Sequence, residues 1–268
     1  MDIGYGWDTG LLRKLNEDSI FFTSFEIKTH LGMASAGLFA VADGMGGHNA
    51  GEVASNLAVK TFFSECLGGL LDRSPAAPLV VMSDAFNRAN SSVIEAAEDR
   101  ELHGMGTTLT AALIIDHDLY VAHIGDSRCY IINTRETLQI TRDHSVVQQL
   151  VDTGKITQEE ARKHPRRNEI TRVLGYSGDS IPDLLQVKLY SGDNILVCSD
   201  GLCGVLPQEK ITEAVLSSPG PNQACAELVA EANLAGGPDN ISVIIARPVN
   251  LPSWQALTAA KTSIRTAS

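Results

Sequence analysis

No run of apolar residues in this chain approaches the roughly 18 that a membrane-spanning helix needs, and nothing in its 268 residues reads as an internal repeat or a low-complexity tract. Positive charge is scarce: 21 Lys and Arg against 32 Asp and Glu leave a net charge of −11. A surface of that sign repels a phosphate backbone, so nucleic acid is excluded as the expected partner. The opening Met1-Asp2-Ile3-Gly4 has neither the basic flank nor the apolar core of a secretory signal. A cytoplasmic chain without membrane attachment is expected. The five cysteines, at 66, 129, 198, 203 and 225, are odd in number and lack the paired spacing of a zinc site. They read as reduced, mostly buried thiols. What remains is an ordinary globular composition, 44% hydrophobic and 20% charged, with ample material for a core.

The order of elements is that of an α+β protein, not of a strictly alternating parallel one. Strands are predicted at Ile3 to Trp7, Ser19 to Phe22 and Gly37 to Ala42. Two amphipathic helices follow, one with Ala50, Val53, Ala54, Leu57, Ala58 and Thr61 on a face, the other with Leu79, Met82, Phe86, Ala89, Val93 and Ala96. Asn49, and Pro78 or Ser83, are their start signals. A second block of strands spans Thr107 to Ile115, Leu119 to His123 and Cys129 to Asn133. Residues 143–175 change character, with a helix start at Asp143-His144-Ser145 and a capping-box pattern at Thr157-Gln158-Glu159-Glu160. Strands at Leu184 to Leu189 and Ile195 to Cys198, helices at Pro207 to Leu216 and Asn222 to Asn233, and a strand at Ile241 to Ala246 complete the pattern. Residues 251–268 read as an appendix, in which Trp254, Leu257, Lys261 and Ile264 suit a short amphipathic turn.

Four aspartates sit at the boundaries of strand-like apolar runs. Asp43, Asp126 and Asp200 end such runs, and Asp239 begins one. In an antiparallel sheet an end and a beginning share a rim, so all four carboxylates can converge. Gathered carboxylates repel and resist ionisation unless a cation lies among them, and an oxygen-only donor set suits a hard divalent ion, Mg²⁺ or Mn²⁺. Taken singly, each aspartate before glycine would be an ordinary turn residue; the joint placement carries the inference.

Ordered along the chain are Arg13-Lys14-Leu15-Asn16-Glu17-Asp18, Asp43-Gly44-Met45-Gly46-Gly47, Gly106-Thr107-Thr108, Gly125-Asp126-Ser127-Arg128, Ser199-Asp200-Gly201 and Asp239-Asn240-Ile241-Ser242. With these motifs the chain resembles the protein phosphatase 2C family of metal-dependent serine/threonine protein phosphatases, in its bacterial form. The resemblance covers about residues 1–247. It implies a four-layer αββα sandwich, two antiparallel β-sheets flanked by pairs of helices. Residues 1–250 would be the catalytic domain, with a flap at about 143–180, and 251–268 a C-terminal tail.

By the same resemblance Asp43 bridges two metal ions and the Gly44 carbonyl ligates one of them. Asp200 and Asp239 complete the second site, and Asp126 with Asp200 forms a weaker third. Glu17, Asp18 and Thr108 would hold metal-bound waters, and Arg13 would grip the substrate phosphate, its planar guanidinium matching two phosphoryl oxygens. The implied cofactor is Mn²⁺ or Mg²⁺. The implied reaction is hydrolysis of phosphoserine or phosphothreonine on proteins by water activated between two metals, reversing a cognate bacterial serine/threonine kinase. Many members outside the bacteria carry a histidine at the position of Met45, assigned as the acid that protonates the leaving oxygen. A thioether cannot do this, and His48 is the nearby candidate.

Other residues have plainer expectations. Thr108 suits an ordinary strand threonine as well as a water ligand, and His123 and His144 suit packing or capping. The basic cluster Arg162, Lys163, Arg166 and Arg167 suits a solvated face, although its place in the flap would let it recruit phosphorylated or acidic substrate. A monomer is expected. The rival readings are a catalytically silent phosphoprotein-binding module of the same fold and a two-metal nuclease; the intact acidic set opposes the first and the net negative charge the second.

Overall fold

The computed structural model describes residues 1–29, 32–46, 50–72, 76–176, 178 and 180–252. The chain opens with β1 (Asp2–Asp8), β2 (Asp18–Thr29) and β3 (Gly32–Met45), then crosses into α1 (Ala50–Leu70) and α2 (Pro78–Ala96). Next come β4 (Gly106–Thr107), β5 (Leu109–Ile115), β6 (Asp118–Ile124), β7 (Arg128–Ile132) and β8 (Thr137–Gln139). Two short helices, α3 (Val146–Asp152) and α4 (Gln158–Lys163), precede β9 (Asp183–Lys188) and β10 (Asn194–Cys198). The last elements are α5 (Asp200–Cys203), α6 (Gln208–Ser217), α7 (Pro221–Leu234) and β11 (Ile241–Arg247).

These strands form two antiparallel sheets. One runs β1-β11-β10-β7-β8; the other runs β2-β3-β5-β6-β9, with β4 paired to β3 off the main path. The layering follows from the two-residue period of a strand. In β3, Leu38, Ala40 and Ala42 face α1 and α2, whereas Phe39 and Val41 join the core between the sheets. Alternation in β10 and β11 repeats the device. Leu196, Cys198, Val243 and Ile245 face α6 and α7, whereas Ile195, Val197, Ile244 and Ala246 face the opposite sheet. Three apolar layers thus separate four structural ones, the αββα sandwich that the sequence implies. Among the described residues no helix is long and apolar enough to cross a membrane.

Local signals place the helices. Ala54, Ala58, Phe62 and Cys66 recur every four residues on the buried face of α1, where small side chains let the helix lie close to the sheet. Proline opens both α2 and α7, where its missing N–H costs nothing. The capping box of α4 is formed: Thr157 Oγ1 accepts from the Glu160 N–H, and the Glu160 carboxylate accepts from the Thr157 N–H at 2.7 Å.

The structure differs from the sequence-based expectations in four places. The β2–β3 hairpin runs on past Phe22 and Gly37, in register from Asp18 opposite Asp43 to Thr29 opposite Gly32. Ser24 and Glu26 interrupt the apolar run but fall on the exposed face, with Phe25 and Ile27 inward. The expected strand from Thr107 is broken at Thr108, whose N–H donates to the Asp43 carbonyl instead of continuing the ladder. Asp200 does not end a strand; it opens the four-residue helix α5. The three-residue β8, too short to show a period, was not expected. Asn49, His48, Gly47 and the amphipathic turn from Trp254 to Ile264 lie outside the described residues.

Candidate active site

The antiparallel pairing of β10 with β11 puts the residues after Cys198 beside those before Ile241, so Asp200 and Asp239 come to one rim. Asp43, near the end of β3, sits opposite Asp18 at the start of β2. Asp126 lies in the turn between β6 and β7. Four of these carboxylates, Asp18, Asp43, Asp126 and Asp200, are raised by burial and by neighbouring carboxylates. Burial, then the charges of Asp18, Asp200, Asp126 and Asp239, hold the Asp43 carboxyl well above the usual range. Burial and then Asp239 raise Asp200; burial and then Asp200 raise Asp126. Asp18, buried with its Oδ2 accepting from Ser199 Oγ at 2.7 Å, is pushed up to about 7, mainly by burial.

Main-chain clamps fix this cluster. The Asp43 N–H donates to Thr108 Oγ1 at 2.9 Å, and its carbonyl accepts from Thr107 Oγ1 and the Thr108 N–H. Thr108 Oγ1 also pairs with Ser127 Oγ at 2.9 Å, and the residue is fully buried. Thr108 therefore holds the main chain of Asp43. Gly44 donates its N–H to the Glu17 carbonyl at 3.1 Å, and a Cβ there would collide with the carbonyl of Gly51 and approach that of Glu17 to 2.6 Å. The first turn of α1 is drawn against the site because position 44 has no side chain. A Cβ at Gly201 would likewise strike the carbonyl of Asn240.

The segment leading to Asp18 is tied down by Asn240. Its Oδ1 accepts from the Glu17 N–H at 2.8 Å, and its Nδ2 donates to the carbonyls of Thr9 and Leu15, each at 2.9 Å. Arg13 is thereby brought to the rim, where Nη2 donates to Asp239 Oδ2 at 2.7 Å. This bond, followed by the charges of Asp239 and Glu17, keeps the guanidinium firmly protonated. Nη1 lies 4.0 Å from Glu17 Oε2, and burial raises the Glu17 carboxyl. Arg13 remains about half exposed, with donors turned to a cleft of about 450 Å³ that Asp126, Asp200 and Asp239 also line.

The cluster suits divalent metal on its own evidence. Asp18 Oδ1, Asp126 Oδ1 and Asp200 Oδ1 are buried yet have no hydrogen-bond partner. A buried carboxylate oxygen without donor or cation is costly. Among the described residues no three Asp, Glu, His or Cys side chains close round one metal-sized point. Mg²⁺ and Mn²⁺ do not need such a cage, because they keep several waters and take one or two carboxylates each.

The sequence reading thus finds Arg13, Glu17, Asp18, Asp43, Gly44, Thr108, Asp126, Asp200 and Asp239 brought together, while His48 lies outside the described residues. It did not assign Ser199, Ser127 or Asn240, although each is next to a named aspartate in its motif. His123, in β6, and His144, just before α3, are both buried.

A sequence profile described as Protein phosphatase 2C matches residues 15–231. The serine/threonine protein phosphatase PstP of Mycobacterium tuberculosis is 43% identical over 246 residues, 91% of this chain and 44% of that protein. The chain thus spans about half the length of that curated relative. The serine/threonine phosphatase stp of Listeria monocytogenes is 35% identical over 240 residues, 89% of this chain and 92% of that protein. A crystal structure of the PstP catalytic domain in complex with two manganese ions superposes with a TM-score of 0.75 at 39% identity, covering 91% of this chain and 96% of that one. On fold, motif order and similarity over most of its length, the chain belongs to the protein phosphatase 2C family.

Proposed function

We propose that this chain is a metal-dependent serine/threonine protein phosphatase that hydrolyses phosphoserine and phosphothreonine on proteins, opposing a bacterial serine/threonine kinase. The observation that carries the reading is the set of unpartnered buried carboxylate oxygens gathered beside a phosphate-matching arginine. Mn²⁺ or Mg²⁺ is the proposed cofactor. Asp43, the Gly44 carbonyl, Asp200 and Asp239 would hold two ions, and Asp126 with Asp200 a third. When bound, such ions lower the pKa of water and neutralise phosphoryl charge.

The chain's own residues do the rest. Arg13 binds phosphoryl oxygens through guanidinium donors not engaged by Asp239. Asp18 and Glu17 accept hydrogen bonds from water at the rim, and Ser199 keeps Asp18 turned inward. Thr108 acts through the main chain of Asp43. Met45 has no proton for the leaving oxygen, and that role is assigned to His48. Residues 1–250 are proposed as the catalytic domain with its flap at 143–180, followed by the tail 251–268, in a monomeric cytoplasmic protein.

Phosphate release from a phosphothreonine peptide, followed with and without manganese, tests the reading. Metal-dependent release is expected. Manganese bound without any release would favour a silent phosphoprotein-binding module instead. If His48→Ala leaves the rate and its pH profile unchanged, His48 is not the acid.

A further inference from the structure

Charge and metal recognise a phosphoryl group whatever carries it, so a preference among proteins has to come from surface beyond the acidic cluster. Such a surface adjoins Arg13. Leu11, Leu12 and Leu15 fall within five residues and are 65%, 72% and 47% exposed. Single exposed leucines need no explanation, but three on one short segment make a patch. The segment is anchored. The N–H groups of Leu11 and Leu12 donate to the Gly237 carbonyl at 2.8 and 3.2 Å, and Asn240 Nδ2 donates to the carbonyls of Thr9 and Leu15. Gly10, at a φ of +77°, lies so close to the same loop that a Cβ there would strike the Asp239 carbonyl. The main chain is thus bound to the 237–240 loop, while the leucine side chains are left in water. That loop is also a wall of the cleft, which Pro238 and Asp239 line together with Arg13. The patch is therefore continuous with the place where a phosphoryl group would be held.

Resting on the phosphatase reading, we propose that Leu11, Leu12 and Leu15 form an apolar docking surface for the substrate protein, which favours phosphoproteins with an apolar side chain a few residues from the phosphorylated one. An extended chain advances about 3.3 Å per residue, so a peptide whose phosphate is held by Arg13 reaches the neighbouring leucines within about two to five residues. Leaving water for such a patch favours an apolar side chain and disfavours a charged one. No bond changes at the patch, so the contact is equally strong before and during the reaction. It therefore acts on KM and not on kcat.

The test uses phosphothreonine peptides with serine and glycine flanks, into which one leucine is placed at successive positions on either side. For the wild type the expected result is a KM roughly tenfold lower at one or two of those positions, with kcat equal, the worth of burying most of one leucine. The Leu11→Ser/Leu12→Ser/Leu15→Ser variant should lose the difference, and Leu12→Ser alone, at the most exposed of the three, should lose part of it. Leu71→Ser, at an exposed leucine just past the far end of α1, should keep it. Hydrolysis of para-nitrophenyl phosphate, which carries no peptide to reach the leucines, reads the acidic cluster alone. No KM difference in the wild type, a difference that survives the triple variant, or an equal loss on para-nitrophenyl phosphate overturns the proposal. Absence of phosphate release from every substrate would remove the phosphatase reading alone. Fluorescence anisotropy of the leucine-bearing phosphopeptide then reads the patch: weaker binding to the triple variant than to Leu71→Ser supports it, and equal binding overturns it.

Discussion

At Asp18 burial and charge pull against each other. Its carboxyl is raised from 3.8 to about 7, chiefly because it is buried, with the neighbouring aspartates adding to the shift. A carboxyl with a folded pKa above its unfolded one binds more protons in the native state. Its contribution to stability without metal is present below about pH 4 and is lost as pH rises through about 7. Asp18→Asn removes the ionising group, so the metal-free protein should melt higher than wild type above pH 7, by about 2–4 °C for each kcal/mol recovered. The same change should weaken manganese affinity roughly 10–100-fold, as loss of an outer hydrogen-bonding carboxylate does. Thermal melts and calorimetric titration read the two halves; a variant that melts lower and binds manganese as tightly contradicts both. Arg13→Ala should lower kcat/KM on a phosphothreonine peptide about 10–100-fold, the worth of a charge-assisted hydrogen bond at about 1.5–3 kcal/mol. An unchanged kcat/KM would mean that Arg13 serves only Asp239.

At the level of elements, the segment leading into α3 is stitched to the turn that bears Asp126. The His144 N–H donates to the Gly125 carbonyl at 2.7 Å, and the Gly125 N–H donates back to His144 Nδ1 at 3.1 Å. Beneath it, His123 Nε2 lies 3.1 Å from the Arg142 carbonyl and Nδ1 lies 2.8 Å from Thr110 Oγ1. That fits a neutral ring donating from Nε2. Burial, then His144, lowers the His123 pKa from 6.5 to about 3. The unfolded chain therefore takes up the proton first, and stability from this group is lost as pH falls below about 6.5. Asp18 and His123 thus act in opposite senses between about pH 4 and 6.5. His123→Gln should make stability fall more steeply with rising pH in that window, and Asp18→Asn should do the reverse. Parallel slopes for the two variants would refute the assignment. Near the end of β3, Gly44→Ala should cost upwards of about 2 kcal/mol, because backbone carbonyls rather than flexible side chains stand in the way.

Much of this element scale was legible in the sequence where a period or a special residue type marked it. The proline start of α2 and the Thr157 capping box need only local chemistry, and the structure contains both; Pro221, which reads as part of the preceding loop, in fact opens α7. The carboxylates were legible because each interrupts an apolar run. The clamps were not. Asn240 bridges to Thr9, Leu15 and Glu17, and Ser199 reaches Asp18, across more than 180 residues in each case. A polar side chain carries no sign of a partner so far away. The helix α5 was hidden for a related reason: four residues are too few to display a 3.6-residue period, so Asp200 read as a strand end.

Across the whole molecule the two sheets present their C-terminal and N-terminal strand ends at a single rim, and the three apolar layers hold that rim in shape. Phe39 is fully buried in the layer between the sheets, four residues from Asp43 on the same strand. Phe39→Ala should cost about 3–5 kcal/mol and lower the melting temperature while leaving manganese stoichiometry unchanged in the protein that still folds. The sandwich is a frame; the charge it gathers is what makes the rim chemical. The most direct test of that is anomalous diffraction from a crystal grown with manganese. Peaks between the carboxylates of Asp43, Asp200 and Asp239 are the expected result. A well-ordered crystal with no manganese peak there, and the three side chains turned apart, would contradict the account.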